Sequence, residues 1–237
     1  MTLRKGLKKL ALAAAAVCLF VCLSILSEGY KMYSDAIQNQ PLEEKVAAIR
    51  EKESYTTFDQ LPEVYVDAVL SVEDHRFYGH VGIDPIAISR AVVNDIRAGA
   101  FVEGGSTITQ QLAKNMYFTQ EKKMVRKAAE IFMALELEKN YTKNEILELY
   151  VNTIYYGNGY YCIGDASQGY FGKAPNDMTD YESTLLAGVP NAPSCYAPTV
   201  NPELAKKRQE QVLARLVKCG VFTRERAAET LAAGSGA

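Results

Sequence analysis

Gly104-Gly105-Ser106-Thr107-Ile108-Thr109-Gln110-Gln111-Leu112-Ala113-Lys114-Asn115 runs from two glycines into a helical pattern. The glycines free the backbone, and Ser106 stands where an N-cap is expected. At helical spacing Ser106, Gln110 and Lys114 share one face, while Ile108, Leu112 and Met116 share another. A helix start carries unpaired N–H groups and a partial positive charge, both favourable to anions. Hydroxyl, amides and ammonium together suit the polar head of a substrate. A capped amphipathic helix whose polar face simply meets water fits the same residues, so the stretch leaves both readings open.

The rest of the chain bounds the choice. It has 237 residues, 48% hydrophobic and 23% charged, enough to bury a core as one domain. A formal net charge of -2 gives no general attraction to nucleic acid, and none is expected as a partner. His75 and His80 cannot build a histidine-rich metal site and read on their own as hydrogen-bonding residues of a turn. Five cysteines, without CxxC spacing, support neither zinc nor a disulfide framework.

Leu10 to Leu26 carries no charge and follows Arg4, Lys5, Lys8 and Lys9. These 17 residues would span about 26 Å, close to the ~30 Å of a bilayer's hydrocarbon. Lys8, Lys9 and Tyr30 can anchor the ends. The basic flank places the N-terminus in the cytoplasm and the remainder outside. No small-x-small cleavage site follows, so a single-pass anchor in the cell membrane is expected rather than a removed signal. The chain then divides into a basic tail (1–9), the anchor (10–26), a polar stalk and lead-in (27–60) and a main domain (61–237).

Within that domain the signals are helical. Leu61-Pro62 opens a helix with Val66, Val69 and Leu70 as its stripe, and Glu73 follows that stripe to the edge of the core. Helices are predicted at about 86–98 and 121–139, the latter with Met124, Ala128, Ile131 and Leu135 on one face. Thr142…Glu145 and Thr179…Glu182 are capping boxes, and Asn201-Pro202 caps a helix running to Lys218. Pro190, Pro193 and Pro198 mark an extended loop. No alternating strand series is present, so the fold class is mostly α.

Two clusters can carry chemistry. Glu73-Asp74 stands at a helix end, and adjacent helical positions diverge by about 100°, so one of the two faces a given pocket. Partial burial would raise the proton affinity of Glu73, which suits a general base or acid. Arg126, Lys127 and Glu130 lie three and four positions apart, an ion-pair ladder in its plain reading. Lys122, Lys123, Arg126 and Lys127 nevertheless crowd positive charge into one stretch of an acidic chain, where a pyrophosphate finds point charges and a planar fork.

These segments together resemble the signatures of family 51 glycosyltransferases, the transglycosylase domain of class A penicillin-binding proteins. Glu73 to Asp84 is similar to EDxxFxxHxGxD, Gly104 to Asn115 to GGSTITQQLxKN, and Arg126 to Glu130 to RKxxE. Glu145 to Asn152 resembles EILExYLN with Val151 for Leu, Ala166 to Lys173 resembles AxxYFGK, and Leu186 to Pro198 resembles LAxxPxAPxxYxP. Cys162 replaces a small residue of that pattern, and Asp165 and Gln168 also depart from it.

The resemblance implies a lysozyme-like helical domain with head and jaw lobes on one transmembrane helix. It implies polymerisation of lipid II into β-1,4 glycan strands by an inverting, monofunctional enzyme with Glu73 as base and Glu130 as a second catalytic carboxylate. It assigns substrate binding to Asp74, Phe77, His80, Ser106, Thr107, Gln110, Gln111, Lys114, Asn115, Lys122, Arg126 and Lys127. No resident metal or other cofactor is expected, with a divalent cation, Mg or Mn, as an optional aid to the pyrophosphate. The growing strand, the membrane and other wall-synthesis or division proteins are the expected partners. The alternatives are a lytic enzyme on the same fold and a silent scaffold. Phe101, Met116, Tyr117 and Phe118 are expected to form an apolar rim at the membrane.

Overall fold

The computed structural model describes residues 2–100, 104–119 and 124–234. Among them lie twelve α-helices and no strand, only an isolated bridge between Val81 and Ile83. The mostly α expectation holds, behind one apolar N-terminal helix.

That helix, α1 (Thr2–Asn39), is longer than the anchor predicted from Leu10 to Leu26. Nothing between residues 2 and 40 breaks a helix as proline would, so the turn repeats until Pro41. Its apolar window has a mean hydropathy of 2.6 and is uncovered by the rest of the protein. The predicted polar stalk from residue 27 is therefore a continuation of the helix, and it is not free. Its last turns lie on α6 (Met124–Asn140), where Gly29 meets Ala128 and Tyr30 meets Phe132 edge to face at 5.4 Å.

α2 (Leu42–Arg50) buries Leu42, Val46 and Ile49 in the main core. The segment after it is tied to α7 (Lys143–Val151). Asn152 at the end of α7 accepts from the Thr56 amide at 3.0 Å and donates to its carbonyl at 2.7 Å. Tyr55 and the Phe58 amide both donate to Glu148. Residues 42–60 thus belong physically to the globular body.

α3 (Glu63–Glu73) runs through the centre and packs on α9 (Asp180–Gly188) and α11 (Pro202–Lys218). Its deepest side chains are Tyr65, Ala68 and Val69, with Val66 and Leu70 flanking. α4 (Pro85–Ala98) is capped by Asp84, which accepts from the amides of Ile86 and Ala87 at 2.9 and 3.1 Å. α5 (Ile108–Tyr117) packs between α6 and α7 and buries Ile108, Leu112 and Met116 as predicted.

α6 is buried on two sides. Ala129, Met133 and Leu137 enter the core, whereas Val125, Ala128 and Phe132 face α1. The predicted stripe through Met124, Ala128, Ile131 and Leu135 is therefore displaced, and Met124 and Leu135 are exposed.

The capping boxes at Thr142 and Thr179 form as read, starting α7 and α9. Asn201 accepts from the Leu204 amide at 3.1 Å and starts α11. At α8 (Ile163–Phe171) the divergent Cys162 is the N-cap, its Sγ accepting from the Asp165 amide and lying 3.1 Å from Ser54 Oγ. The proline-rich stretch is helical rather than extended. Pro190 sits within a 3-10 turn and Pro193 opens the short α10 (Pro193–Tyr196), since proline suits a first turn. α12 (Arg224–Ala233) closes the chain on its Thr223 cap.

Candidate active site

A cleft of about 1190 Å³ lies among the C-terminal end of α3, the start of α5, one face of α4 and one face of α11. Glu73, the last residue of α3, is half-buried at its wall. Its Oε2 accepts from Gln111 Nε2 at 2.9 Å, and Oε1 takes no hydrogen bond among the described residues.

Asp74 also borders the cleft, contrary to the expectation that one of the two acids faces away. Helix α3 stops at Glu73, and Asp74 is extended, at φ -159 and ψ 74, so the helical 100° divergence does not apply. Its carboxylate is already occupied. It accepts from His80 Nε2 at 2.9 Å and from the Ile108 amide at 3.1 Å. The anion at the start of α5 is thus the protein's own aspartate.

The cap of α5 is Thr107, not Ser106. Thr107 Oγ1 accepts from the Gln110 amide at 3.1 Å, and Gln110 Oε1 accepts from the Thr107 amide at 3.1 Å. The Thr107 hydroxyl also donates to the Gly82 carbonyl at 2.7 Å, a tertiary contact that selects this residue over its neighbour. Ser106 therefore lies outside the helix and off the Gln110/Lys114 face. It borders the cleft and accepts from Lys127 Nζ at 2.8 Å. Gly105 allows this loop to lie on α4, for a methyl there would stand 3.1 Å from Ile88 Cα.

Lys114 projects into the cleft from α5. Burial, aided by Arg126 and Lys127, outweighs the pull of Glu130 and Glu73 and holds its ammonium below the usual lysine range. Behind it Glu130 is only 2% exposed and sits between two cations. Arg126 Nη1 donates to it at 2.6 Å and Lys127 Nζ at 2.9 Å. Glu130 and Arg126 are not among the residues lining the open cleft, but Lys114, which does line it, feels the charge of both Glu130 and Glu73. Arg126 Nε is buried with no partner among the described residues.

The predicted base Glu73 and the predicted substrate-binding residues Asp74, Ser106, Thr107, Gln111 and Lys114 meet at the cleft. Three others are engaged elsewhere. Phe77 is core, beneath Lys143 Nζ at 4.3 Å from its ring; His80 is buried on Asp74; Gln110 is consumed by the cap. Asn115 is half-buried and does not line the cleft. Lys122 and Phe101 lie outside the described residues.

The expected apolar rim is also redirected. Met116 is buried, while Tyr117 and Phe118 pack against the core, with Tyr117 donating to the Gln40 carbonyl at 3.2 Å. Apart from α1, the described residues expose a large apolar face on α4. Ile88, Val92 and Ile96 project opposite the Arg90/Asn94 face that lines the cleft.

The far wall escaped the sequence reading. Arg208, Arg215 and Lys218 present one face of α11 to the cleft, with Arg90 across from them on α4. Burial, with the guanidiniums of Arg90 and Arg215, holds the His75 imidazole below its usual range despite Asp74, a mark of the positive field there. The only local signal was a basic stripe, indistinguishable in sequence from a solvated helix face.

The chain matches the family model described as Transglycosylase over residues 39–217. It is 41% identical over 194 residues to penicillin-binding protein 1F of Bacillus subtilis (strain 168), covering 82% of this chain and 27% of that one. It is 43% identical over 181 residues to penicillin-binding protein 1A of Aquifex aeolicus (strain VF5), covering 76% and 25%. A crystal structure of penicillin-binding protein 1A from Haemophilus influenzae aligns at a TM-score of 0.37 and 27% identity, covering 52% and 15%. The chain thus spans about a quarter of the length of the curated relatives it matches. It belongs to the transglycosylase family.

Proposed function

We propose that this chain is a membrane-anchored peptidoglycan glycosyltransferase that polymerises lipid II into β-1,4 glycan with release of undecaprenyl pyrophosphate. The observation that carries the reading is Glu73, a carboxylate whose Oε1 takes no hydrogen bond among the described residues, at the wall of a cleft also lined by Lys114, Arg208, Arg215 and Lys218. Breaking an α-linked pyrophosphate to make a β link inverts the anomeric carbon, so a base must act on the acceptor from the face opposite the leaving group. Glu73 Oε1 takes the proton of the acceptor 4-hydroxyl as that oxygen bonds to the anomeric carbon. The bond from carbon to pyrophosphate breaks, and the electron pair leaves with the phosphate. Lys114 lies on the side of the departing charge, and its desolvated ammonium gains most from an arriving anion.

Arg126 and Lys127, held by Glu130, form the reserve of charge behind Lys114, and Arg126 Nε, without a partner among the described residues, is a donor that a phosphate oxygen would complete. Glu130 thereby acts on the cations rather than on the sugar. The α11 wall, with Arg208, Arg215 and Lys218, suits the second pyrophosphate, that of the acceptor. The cleft's donors are lysine and arginine, which meet phosphate directly; a divalent cation, Mg or Mn, would enter with the pyrophosphate.

The basic residues in the first turns of α1, Arg4, Lys5, Lys8 and Lys9, set the N-terminus in the cytoplasm and the cleft outside, where the lipid-linked donor is presented. The apolar face of α4 would rest in the interface beside it.

Incubating the purified protein with lipid II and sizing the products tests the reading. Long glycan from wild type and none from a folded Glu73→Gln variant is the expected result. Shortening of preformed glycan, without polymer from lipid II, would assign the lytic activity instead.

A further inference from the structure

Tyr150 of α7 is fully buried, behind the cleft residue Gln111. Its OH donates to Gln111 Oε1 at 3.3 Å, and Gln111 Nε2 donates to Glu73 Oε2 at 2.9 Å. The chemistry of the three groups permits one order. An ionised carboxylate only accepts, so the amide must turn its NH2 toward Glu73. The amide oxygen then faces α7, where the tyrosine is its donor. The other buried hydroxyl nearby, Tyr65, is paired with Tyr156 at 2.6 Å and is not available for this role.

We propose that Tyr150 and Gln111 are positioning residues: they pin Glu73 Oε2 so that Oε1 alone is presented to the acceptor hydroxyl. The proposal rests on the assignment of Glu73 as the base. Without the tyrosine hydroxyl, the amide oxygen of the half-buried Gln111 loses its protein donor and the amide can flip. A flipped amide sets oxygen against the carboxylate, and Glu73 loses both its donor and its fixed rotamer. The groups around Glu73 define what else can act on it. Tyr65 and Asp74 belong to its own element and its cap, with His75 next in sequence. Lys114 faces it from α5, Tyr150 from α7, and Arg215 of α11 donates to the Ser71 carbonyl at 3.3 Å. None of these replaces the Gln111 hydrogen bond. Burial, then the negative charge of Glu73, keeps the Tyr150 phenol protonated well beyond the ordinary range, so it remains a donor throughout the working pH range.

The test is the pH dependence of lipid II polymerisation by the full-length protein carrying Tyr150→Phe, Gln111→Ala or both. Tyr150→Phe keeps the ring and removes the hydroxyl. It should lower kcat roughly tenfold with KM for lipid II nearly unchanged, a fraction of what a general base contributes. The acid limb of kcat/KM should move to higher pH, because a carboxylate that loses a donor binds its proton more tightly. Gln111→Ala should move the limb the same way, and the double variant should be no worse than Gln111→Ala. Should Tyr150→Phe fail to fold, the acid-limb shift in Gln111→Ala carries the decision. A wild-type acid limb in the folded variants, a loss confined to KM, or additive losses in the double variant would overturn the relay. Glu73→Gln run in parallel separates the two readings. Activity in Glu73→Gln removes the base itself, whereas an inactive Glu73→Gln beside a wild-type Tyr150→Phe removes only the relay.

Discussion

Gly29 of the anchor helix and Ala128 of α6 are in such close contact that a methyl on Gly29 would stand 2.5 Å from the Ala128 Cβ. It would also lie 3.1 Å from the Ala129 amide nitrogen and the Val125 carbonyl oxygen. The point of closest approach falls on the turn of α6 that carries Arg126, Lys127 and Glu130. The membrane helix therefore bears directly on the segment that holds the cations. Gly29→Val should cost about 1–3 kcal/mol by overpacking. It should also reduce polymerisation through displacement of α6. Ala128→Gly should recover part of the loss caused by Gly29→Ala, and only part, since the two backbone atoms remain in the way. Thermal melts in detergent check both; a Gly29→Val protein as stable as wild type would mean that α1 does not seat on α6.

Asp74 makes a second prediction. Its buried carboxylate joins His80 to the first amide of α5, so Asp74→Ala leaves a ring nitrogen and a backbone N–H without their acceptor. Such a loss should cost about 3 kcal/mol. Asp74→Asn should cost less, because its amide oxygen still accepts from one of the two donors. Urea titration of both variants measures the order; equal stability of Asp74→Ala and wild type would remove Asp74 from the frame of the site.

What the sequence made legible was local. The boxes at Thr142 and Thr179 and the cap at Asn201 need only neighbours within four residues, and all three form. The start of α5 was misplaced by one residue because Ser106 and Thr107 both cap well, and the choice is made by Gly82, far away in sequence. Glu130 was readable as a partner of Arg126 and Lys127, but its burial depends on how α6 sits against the core and α1. The part played by Tyr150 was not legible, since nothing in its own helix reveals the Gln111 carbonyl it meets. The α11 wall was illegible for the same reason. A basic helical face lining a cleft and one facing water share a pattern, and only the packing of α11 on α3 and α9 tells them apart.

Lys114 sets function against stability. Burial, with Arg126 and Lys127, depresses its pKa despite Glu130 and Glu73, so the unfolded chain binds this proton more tightly than the folded one. The charged lysine therefore opposes folding, fully below its folded pKa. That cost is relieved as pH rises from the folded toward the unfolded value. Lys114→Met should raise Tm by about 2–4 °C at neutral pH, with the gain shrinking as pH climbs through the alkaline range. The same variant should lose polymerase activity. A lower Tm for Lys114→Met at neutral pH would contradict the sign of this argument.

The apolar face of α4 gives the last prediction. Val92 and Ile96 are 51% and 76% exposed, on the side of the helix away from the cleft residues Arg90 and Asn94. Water is an expensive neighbour for such a face, at about 25 cal/mol for each Å² left uncovered, whereas the lipid interface accepts it. The chain contains no tryptophan, so Ile96→Trp creates a single fluorescent reporter at that face. In full-length protein reconstituted into bilayers, its emission should be blue-shifted relative to a water-exposed indole and quenched by lipids brominated on their acyl chains. The indole is itself favoured at the interface, so the substitution should leave the docking of α4 intact. Emission typical of water, untouched by brominated lipid, would place α4 in solvent and leave its apolar face to some other cover.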